Sequence, residues 1–344
     1  MPKKKAVTGS VEEKINATYG EGTIARLGGK GSKTEVMAVP TELPSVDEAT
    51  GVGGIPAGRM IELFAPESMG KTTLAAWIVK KHLEYIPKKK AAFLDVEHAL
   101  DPEWISKVTG INFDSDSIYV CQPDYGEQAL DIAQMLVKSG EYSIVVLDST
   151  ASLIPKAELD GNFGDAKMAE RARLLSKACP QFAAQCSKSN TTMIWINQIR
   201  TKIGVFFGDP TTTPGGMSLK FYCSIRMRLG PAKGSNIKVT KSGIEEVVAR
   251  KMTLNIIKNK VGPPFRKATI YFDFEHGIDQ ARDLVESGIN SGVIKIKTSK
   301  KLGAGCAFFG KYNLGKHDKN MLKINRSAIK KHAEEILEAI NGNK

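Results

Sequence analysis

Four short apolar runs punctuate the chain between Arg59 and Gln198: Met60-Ile61-Glu62-Leu63-Phe64, Ala91-Ala92-Phe93-Leu94, Ile144-Val145-Val146-Leu147 and Met193-Ile194-Trp195-Ile196. Each is short and almost continuously apolar, the pattern of a strand buried on both faces. Helical spacing separates them, as with Leu74, Trp77 and Ile78 at i, i+3 and i+4. Strands alternating with helices predict an α/β fold with a mostly parallel central sheet, in which ligands bind beyond the carboxyl ends of the strands. The residues just after each run therefore matter most: 65–73, Glu97, Asp148 and Asn197-Gln198.

Other patterns flank this core. Ser10 followed by Glu13 reads as an N-cap with its capping box, opening a short helix to Tyr19. Val11 and Ile15 share one face of that helix, which is expected to dock on another surface such as a neighbouring subunit. Residues 247–274 read as alternating strands around a turn at Gly262-Pro263-Pro264. The stretch Arg200 to Gly216 holds four Gly, two Pro and four Thr in 17 residues, a loop long enough to predict a functional role. From Asp279 a smaller region follows, closing with an amphipathic helix over Ser327 to Ile340 that aligns Ile329, Ala333, Ile336 and Ile340.

With 344 residues, 42% apolar and 25% charged, the chain resembles a soluble globular protein of about two domains and excludes collagen-like or globally disordered classes. Its 49 Lys and Arg against 37 Asp and Glu leave a net charge of +12, which favours a polyanionic partner, although a solvated basic surface satisfies the same count. Between Lys295 and Lys331 eleven basic residues stand against one acid, Asp318. The five cysteines are odd in number and lack Cys-x-x-Cys spacing, so neither a disulfide framework nor a zinc site is expected, and a reducing cytosol is the simplest home. No apolar stretch follows the basic start, and no run reaches the ~20 residues of a membrane span.

The first strand end carries the sharpest signal. Ala65-Pro66-Glu67-Ser68-Met69-Gly70-Lys71-Thr72-Thr73 follows a strand and opens a helix, the context of a phosphate-binding loop. Backbone N–H groups and the helix N-terminus can ring the phosphates of a ligand, Lys71 adds a point charge for β- and γ-phosphates, and the Thr72 hydroxyl can ligate Mg²⁺. The usual loop begins with glycine; the extra methyl of Ala65 costs nothing unless a positive φ is needed there. Asp148 sets a carboxylate beside this loop, suited to hold Mg²⁺ through its water shell. Glu97 can orient or deprotonate an attacking water, but its spacing fits equally well an N-cap or first-turn glutamate of the next helix. Gln198 can sense a γ-phosphate or position water, and it adjoins the 200–216 loop; a glutamine that merely satisfies local backbone groups is the alternative.

Tyr19 to Gly28, Gly53 to Arg59, the phosphate loop, Phe93 to Pro102, Gln122 to Leu130, Val146 to Ser149, Ile196 to Val205 and Lys258-Asn259-Lys260 with Pro264-Phe265 together resemble the bacterial RecA recombinase family. The resemblance covers roughly residues 10 to 280. It implies a P-loop NTPase with a RecA-type core, a short N-terminal oligomerisation helix (1–35), the ATPase core (36–275) and a small, basic α+β C-terminal domain (276–344) for duplex capture. It implies an ATP- and Mg²⁺-dependent helical filament on single-stranded DNA that pairs with homologous duplex, in recombination, repair and the SOS response. By position it gives Lys71, Thr72, Glu97, Asp148 and Gln198 the roles above, places Asp101 and Trp104 at the nucleotide, with Trp104 where a tyrosine usually stacks on adenine, and sends Lys258 and Lys260 to the ATP of the adjacent subunit. Two DNA loops are implied, 156–167 followed by Met168 and Arg173, and 200–216 with Arg200, Lys202, Ile203, Phe207, Gly215 and Gly216. The sequence departs from the family at Ala65, at Pro180 and Pro214, and in lacking an acidic tail. Two other readings stand beside the recombinase: an ATP-binding filament or mediator with little hydrolysis, and a ring helicase on the same core.

Overall fold

The computed structural model of the chain describes residues 9–26, 36–113, 115–161, 170–201, 204, 208, 210–241, 243–298, 305–317 and 324–343. It divides into two units, Met1–Met37 and Ala38–Lys344. In the first, helix α1 (Val11–Tyr19) starts at Ser10, whose hydroxyl accepts from the Glu13 N–H while the Glu13 carboxylate accepts from the Ser10 N–H. This is the expected capping box, satisfying two donors that a helix start leaves bare. No residue of α1 is buried, and Val11 and Tyr19 are exposed.

In the second unit, β1 (Ala38–Val39), α2 (Pro44–Thr50) and β2 (Ile55–Pro56) precede β3 (Met60–Ala65), α3 (Lys71–Tyr85), β4 (Lys90–Asp95), α4 (Pro102–Thr109), β5 (Ile118–Cys121), α5 (Gly126–Ser139), β6 (Tyr142–Asp148), α6 (Lys156–Leu159), α7 (Glu170–Ser189) and β7 (Thr192–Gln198). Each apolar run falls inside one of the strands β3, β4, β6 and β7. Beyond them come β8 (Arg200–Thr201), β9 (Thr211–Thr212), α8 (Ser218–Tyr222), β10 (Ile225–Lys241), β11 (Ile244–Asn259), β12 (Lys267–Asp273), β13 (Gly277–Ile278) and α9 (Gln280–Asn290). The chain closes with β14 (Ile294–Lys297), β15 (Cys306–Phe309), β16 (Tyr312–Lys316), α10 (Arg326–Lys331) and α11 (Ala333–Gly342).

Among the described residues the central sheet has nine strands in the order β13-β12-β11-β10-β3-β7-β6-β4-β5. From β10 to β5 every neighbour is parallel; β11, β12 and β13 extend one side antiparallel. Side chains alternate between the two faces. Ile61, Leu63, Ile194 and Ile196 join a cluster with Leu74 and Ile78 of α3, while Met60, Met193 and Trp195 join another with Leu175 and Phe182 of α7. Both faces are covered, which is why the runs are continuously apolar. Each fully buried Leu, Ile or Phe contributes about 1.5–3 kcal/mol.

Two expectations need correction. The terminal amphipathic stretch is two helices, α10 and α11, because His332 leaves helical geometry at φ −113° and ψ 17° and stacks on Tyr312 with ring centroids 3.8 Å apart. Ile329, Ile336 and Ile340 are nonetheless buried together with Leu284, Val285 and Leu314. The strand preceding Asn259 begins at Ile244 and pairs with β10, forming a long hairpin that the sequence hid behind Gly230, Pro231 and Gly234. A register shift between Pro231 and Asn236 absorbs these residues.

Candidate active site

The parallel strands end side by side, with Ala65 in register with Gln198 and Asp95 with Asp148. Ala65 is fully buried at the end of β3 and is not among the positive-φ residues, so its methyl brings no backbone strain. The chain then turns through Ser68 (φ 54°) and Gly70 (φ 77°) into α3. A Cβ on Gly70 would lie 2.9 Å from the Phe272 ring, so glycine is required there twice over, by backbone angle and by space. Helix α3 has no side-chain cap and no acidic residue in its first turn. Its first N–H groups are thus free to meet an anion, and the helix dipole adds to the attraction.

Lys71 folds back so that its Nζ donates to the Pro66 carbonyl at 2.9 Å. Burial lowers its pKa, while Asp148, Glu97 and Glu67 work in the opposite direction. The Thr72 hydroxyl donates to Asp148 Oδ2 at 2.5 Å. Burial pushes the Asp148 carboxyl up to about 6; Glu97 adds to the rise, and the Thr72 hydrogen bond and Lys71 oppose it. A desolvated carboxylate paired with a hydroxyl is a donor set that fits Mg²⁺, a hard cation bound through one carboxylate, a hydroxyl and water.

Glu97 is exposed at the mouth of the site. Its Oε1 accepts from Ser149 Oγ at 2.5 Å, Ser152 Oγ at 3.2 Å and Gln198 Nε2 at 3.1 Å. It is not the helix cap: Asp101 caps α4 by accepting from the Trp104 N–H at 3.1 Å, and Glu103 occupies the first turn. Gln198 in turn accepts at Oε1 from Arg200 at 2.7 Å. A chain of hydrogen bonds therefore runs from Ser149 through Glu97 and Gln198 to the start of the 200–216 segment.

Trp104 is 45% exposed, not a core residue. With Ser68, Met69, Gly70, Thr73 and Phe272 it lines a cavity of about 360 Å³ beside the phosphate loop, a space suited to an aromatic base. Lys258 ends near the close of β11 and Lys260 just beyond it; both ammonium groups gather on α8, donating to the Lys220 and Phe221 carbonyls at 2.6–3.0 Å. The two lysines are brought together, but on carbonyls of α8 instead of on the phosphate loop. Arg173 lies exposed on α7. Gly215 (φ 91°) and Gly216 (φ 75°) run against that helix, where a Cβ would meet Leu175 Cδ1 at 2.4 Å and Ala172 Cβ at 3.2 Å. Met168, Lys202, Ile203 and Phe207 lie outside the described residues.

Sequence reasoning missed the supporting groups. Asp95 accepts from the Ala99 and Leu100 N–H groups and from Gln122, shaping the turn that presents Glu97. A carboxylate two residues before Glu97 at a strand end was the available signal. Phe272 and Arg250, which wall the cavity, come from the antiparallel strands, and nothing local to them marks that role.

A strand–loop–helix turn at the carboxyl edge of a parallel sheet, with free helix N–H groups, a lysine, a hydroxyl and a carboxylate drawn together, has the form of a nucleoside-triphosphate-binding α/β protein. The family model described as the RecA N-terminal domain matches residues 5–279. The chain is 46% identical to Protein RecA of Syntrophus aciditrophicus over 291 residues, 85% of this chain and 81% of that one. It is 42% identical over 337 residues to Protein RecA of Rubrobacter xylanophilus, covering 97% and 90%, and 41% identical over 346 residues to that of Francisella tularensis subsp. novicida, covering 100% and 92%. The chain belongs to the RecA family.

Proposed function

We propose that the link from Glu97 through Gln198 to Arg200 is what lets this chain couple ATP to DNA: one hydrogen-bonded path joins the group beside the phosphate loop to the entrance of the 200–216 segment. The protein is an ATP- and Mg²⁺-dependent recombinase that forms helical filaments on single-stranded DNA, exchanges strands with homologous duplex and hydrolyses ATP in response to DNA. It acts in DNA recombination, repair and the SOS response. No helix among the described residues is long and apolar enough to cross a membrane, and we place the protein in the cytoplasm.

In this reading, Lys71 and the free N–H groups of 66–73 bind the phosphates, while Trp104 and Asp101 frame the base. Thr72 and Asp148 hold Mg²⁺, which neutralises phosphate charge when bound. Glu97, oriented by Ser149 and Ser152, accepts the proton of the attacking water. Gln198 senses the γ-phosphate side. Lys258 and Lys260 reach the nucleotide of the adjacent subunit, and α1 packs on a neighbour. Residues 156–168 with Arg173, together with 200–216 carrying Arg200, Lys202, Ile203, Phe207, Gly215 and Gly216, contact single-stranded DNA. The basic segment 276–344 captures duplex. The low-hydrolysis filament reading is not favoured, since Lys71, Asp148 and Glu97 converge at one strand edge.

Turnover measured with and without single-stranded DNA, alongside negative-stain imaging with an ATP analogue, tests this. DNA-stimulated hydrolysis and nucleotide-dependent filaments are expected. Hydrolysis indifferent to DNA would defeat the coupling, and closed rings would revive a helicase.

A further inference from the structure

Both ends of the 200–216 segment are tied to one buried amide. Asn197 lies in β7 immediately before Gln198 and is fully buried. Its Oδ1 accepts from the Gln198 N–H at 2.9 Å. Its Nδ2 donates to the Pro214 carbonyl, at the far end of the segment, at 3.2 Å, and to Glu62 Oε1 at 3.0 Å. Strand alternation sends the Asn197 and Gln198 side chains to opposite faces of the sheet. Asn197 thus contacts the loop without entering the nucleotide site.

The amide is held from behind. Glu62, fully buried in β3, accepts at its other oxygen from Arg226 Nε at 2.5 Å, and the Arg226 guanidinium lies 4.8 Å from the centre of the Phe64 ring. An ionised carboxylate accepts only, so it fixes which end of the asparagine is the NH₂ and turns the oxygen toward Gln198. A buried ion pair is a poor device for filling a core, since apolar residues of similar volume do so at least as well. Its use here answers a need for orientation. Arg226 also faces Lys258 across the β10–β11 ladder, so the same brace adjoins the pair of lysines gathered on α8.

We propose that Asn197 is a positioning residue which, oriented by Glu62 and Arg226, joins the two ends of the 200–216 segment so that they respond to nucleotide as one unit. A displacement of Gln198 on ATP binding is carried through its own N–H to Asn197 and on to Pro214, instead of being absorbed at the near end. This inference rests on the reading of Gln198 and of 200–216 given above.

The test uses the full-length chain, a fluorescent oligothymidylate and a non-hydrolysable ATP analogue, and reads the ratio of DNA affinities with and without the analogue. In the wild-type chain the analogue tightens binding. In Asn197→Ala that gain should fall about tenfold, within the usual range of coupling between sites, at unchanged affinity for a fluorescent ATP analogue. A residue that merely supported the fold would weaken both states equally and leave the ratio intact. Should the alanine variant not fold, Glu62→Gln decides: it keeps the shape but frees the amide to turn; leaving Arg226 unpaired lowers its melting temperature, and in the folded protein about threefold of the gain should be lost. A full gain retained in either folded variant overturns the proposal while leaving the loop reading standing. No gain in the wild type, or a full gain in Gln198→Ala, overturns that reading and the proposal with it.

Discussion

Lys71 and Glu97 differ in what holds them, and the difference sets what their loss should do. Lys71 is tied to a carbonyl of its own loop and is half stripped of water. Among the described residues its hydrogen bond goes to that carbonyl and it forms no ion pair, which suits its charge to a phosphate. Lys71→Ala should abolish hydrolysis in a steady-state phosphate-release assay; retained turnover would remove the loop from the mechanism. Glu97 is exposed and carries three hydrogen bonds at one oxygen, from Gln198 at the end of β7 and from two serines in the turn after β6. Glu97→Ala should therefore keep ATP affinity and slow single-turnover cleavage by about 10²-fold or more, the usual worth of a general base. If ATP affinity fell instead, the carboxylate would be organising the site and not abstracting a proton.

At the scale of elements, the end of the 200–216 segment is decided by how closely it approaches α7. Gly215 has φ 91°, and a Cβ there would sit 2.4 Å from the Cδ1 of Leu175, itself fully buried. Gly208 shares the left-handed backbone, at φ 83°, but a Cβ there would meet nothing within 4 Å among the described residues. Gly215→Ala should thus cost about 1–3 kcal/mol from strain and overpacking together, visible as a lower urea midpoint and weaker single-stranded DNA binding. Gly208→Ala should show only the smaller backbone share; equal effects would mean that α7 yields freely. The glycine-rich composition of this segment was legible, but the helix it packs on was not. The same divide runs through the whole fold. Strands β3, β4, β6 and β7 could be read because burial on both faces leaves an uninterrupted apolar run, and Lys71, Asp148 and Gln198 could be located from them. The β10–β11 hairpin could not, because its glycines and proline mimic a loop and only cross-strand pairing corrects the impression. Nor could the serines that orient Glu97, whose relevance comes from 52 and 55 residues away.

For the whole molecule, pH acts through a buried acid far from the strand ends. Asp283 of α9 is 3% exposed and accepts from the Ser45 N–H of α2 at 3.2 Å. Burial raises its pKa from 3.8 to about 7, with Glu286 and Asp47 adding to the rise and the bonds from Ser45 opposing it. Below pH 4 the carboxyl is protonated in both folded and unfolded chains and contributes no pH dependence. Between about 4 and 7 the folded chain keeps the proton and the unfolded chain releases it, so the unfolded state binds fewer protons and stability falls as pH rises. Above 7 both forms are ionised and the loss is complete, on the order of 4 kcal/mol for a rise from 3.8 to about 7 at 1.36 kcal/mol per pKa unit. Asp283→Asn keeps an acceptor for Ser45 and removes the titration. The variant should match the wild type in urea unfolding at pH 4 and exceed it at pH 8. A constant difference between the two across that range would place the carboxyl in water and dissolve the account of how α9 is seated on α2.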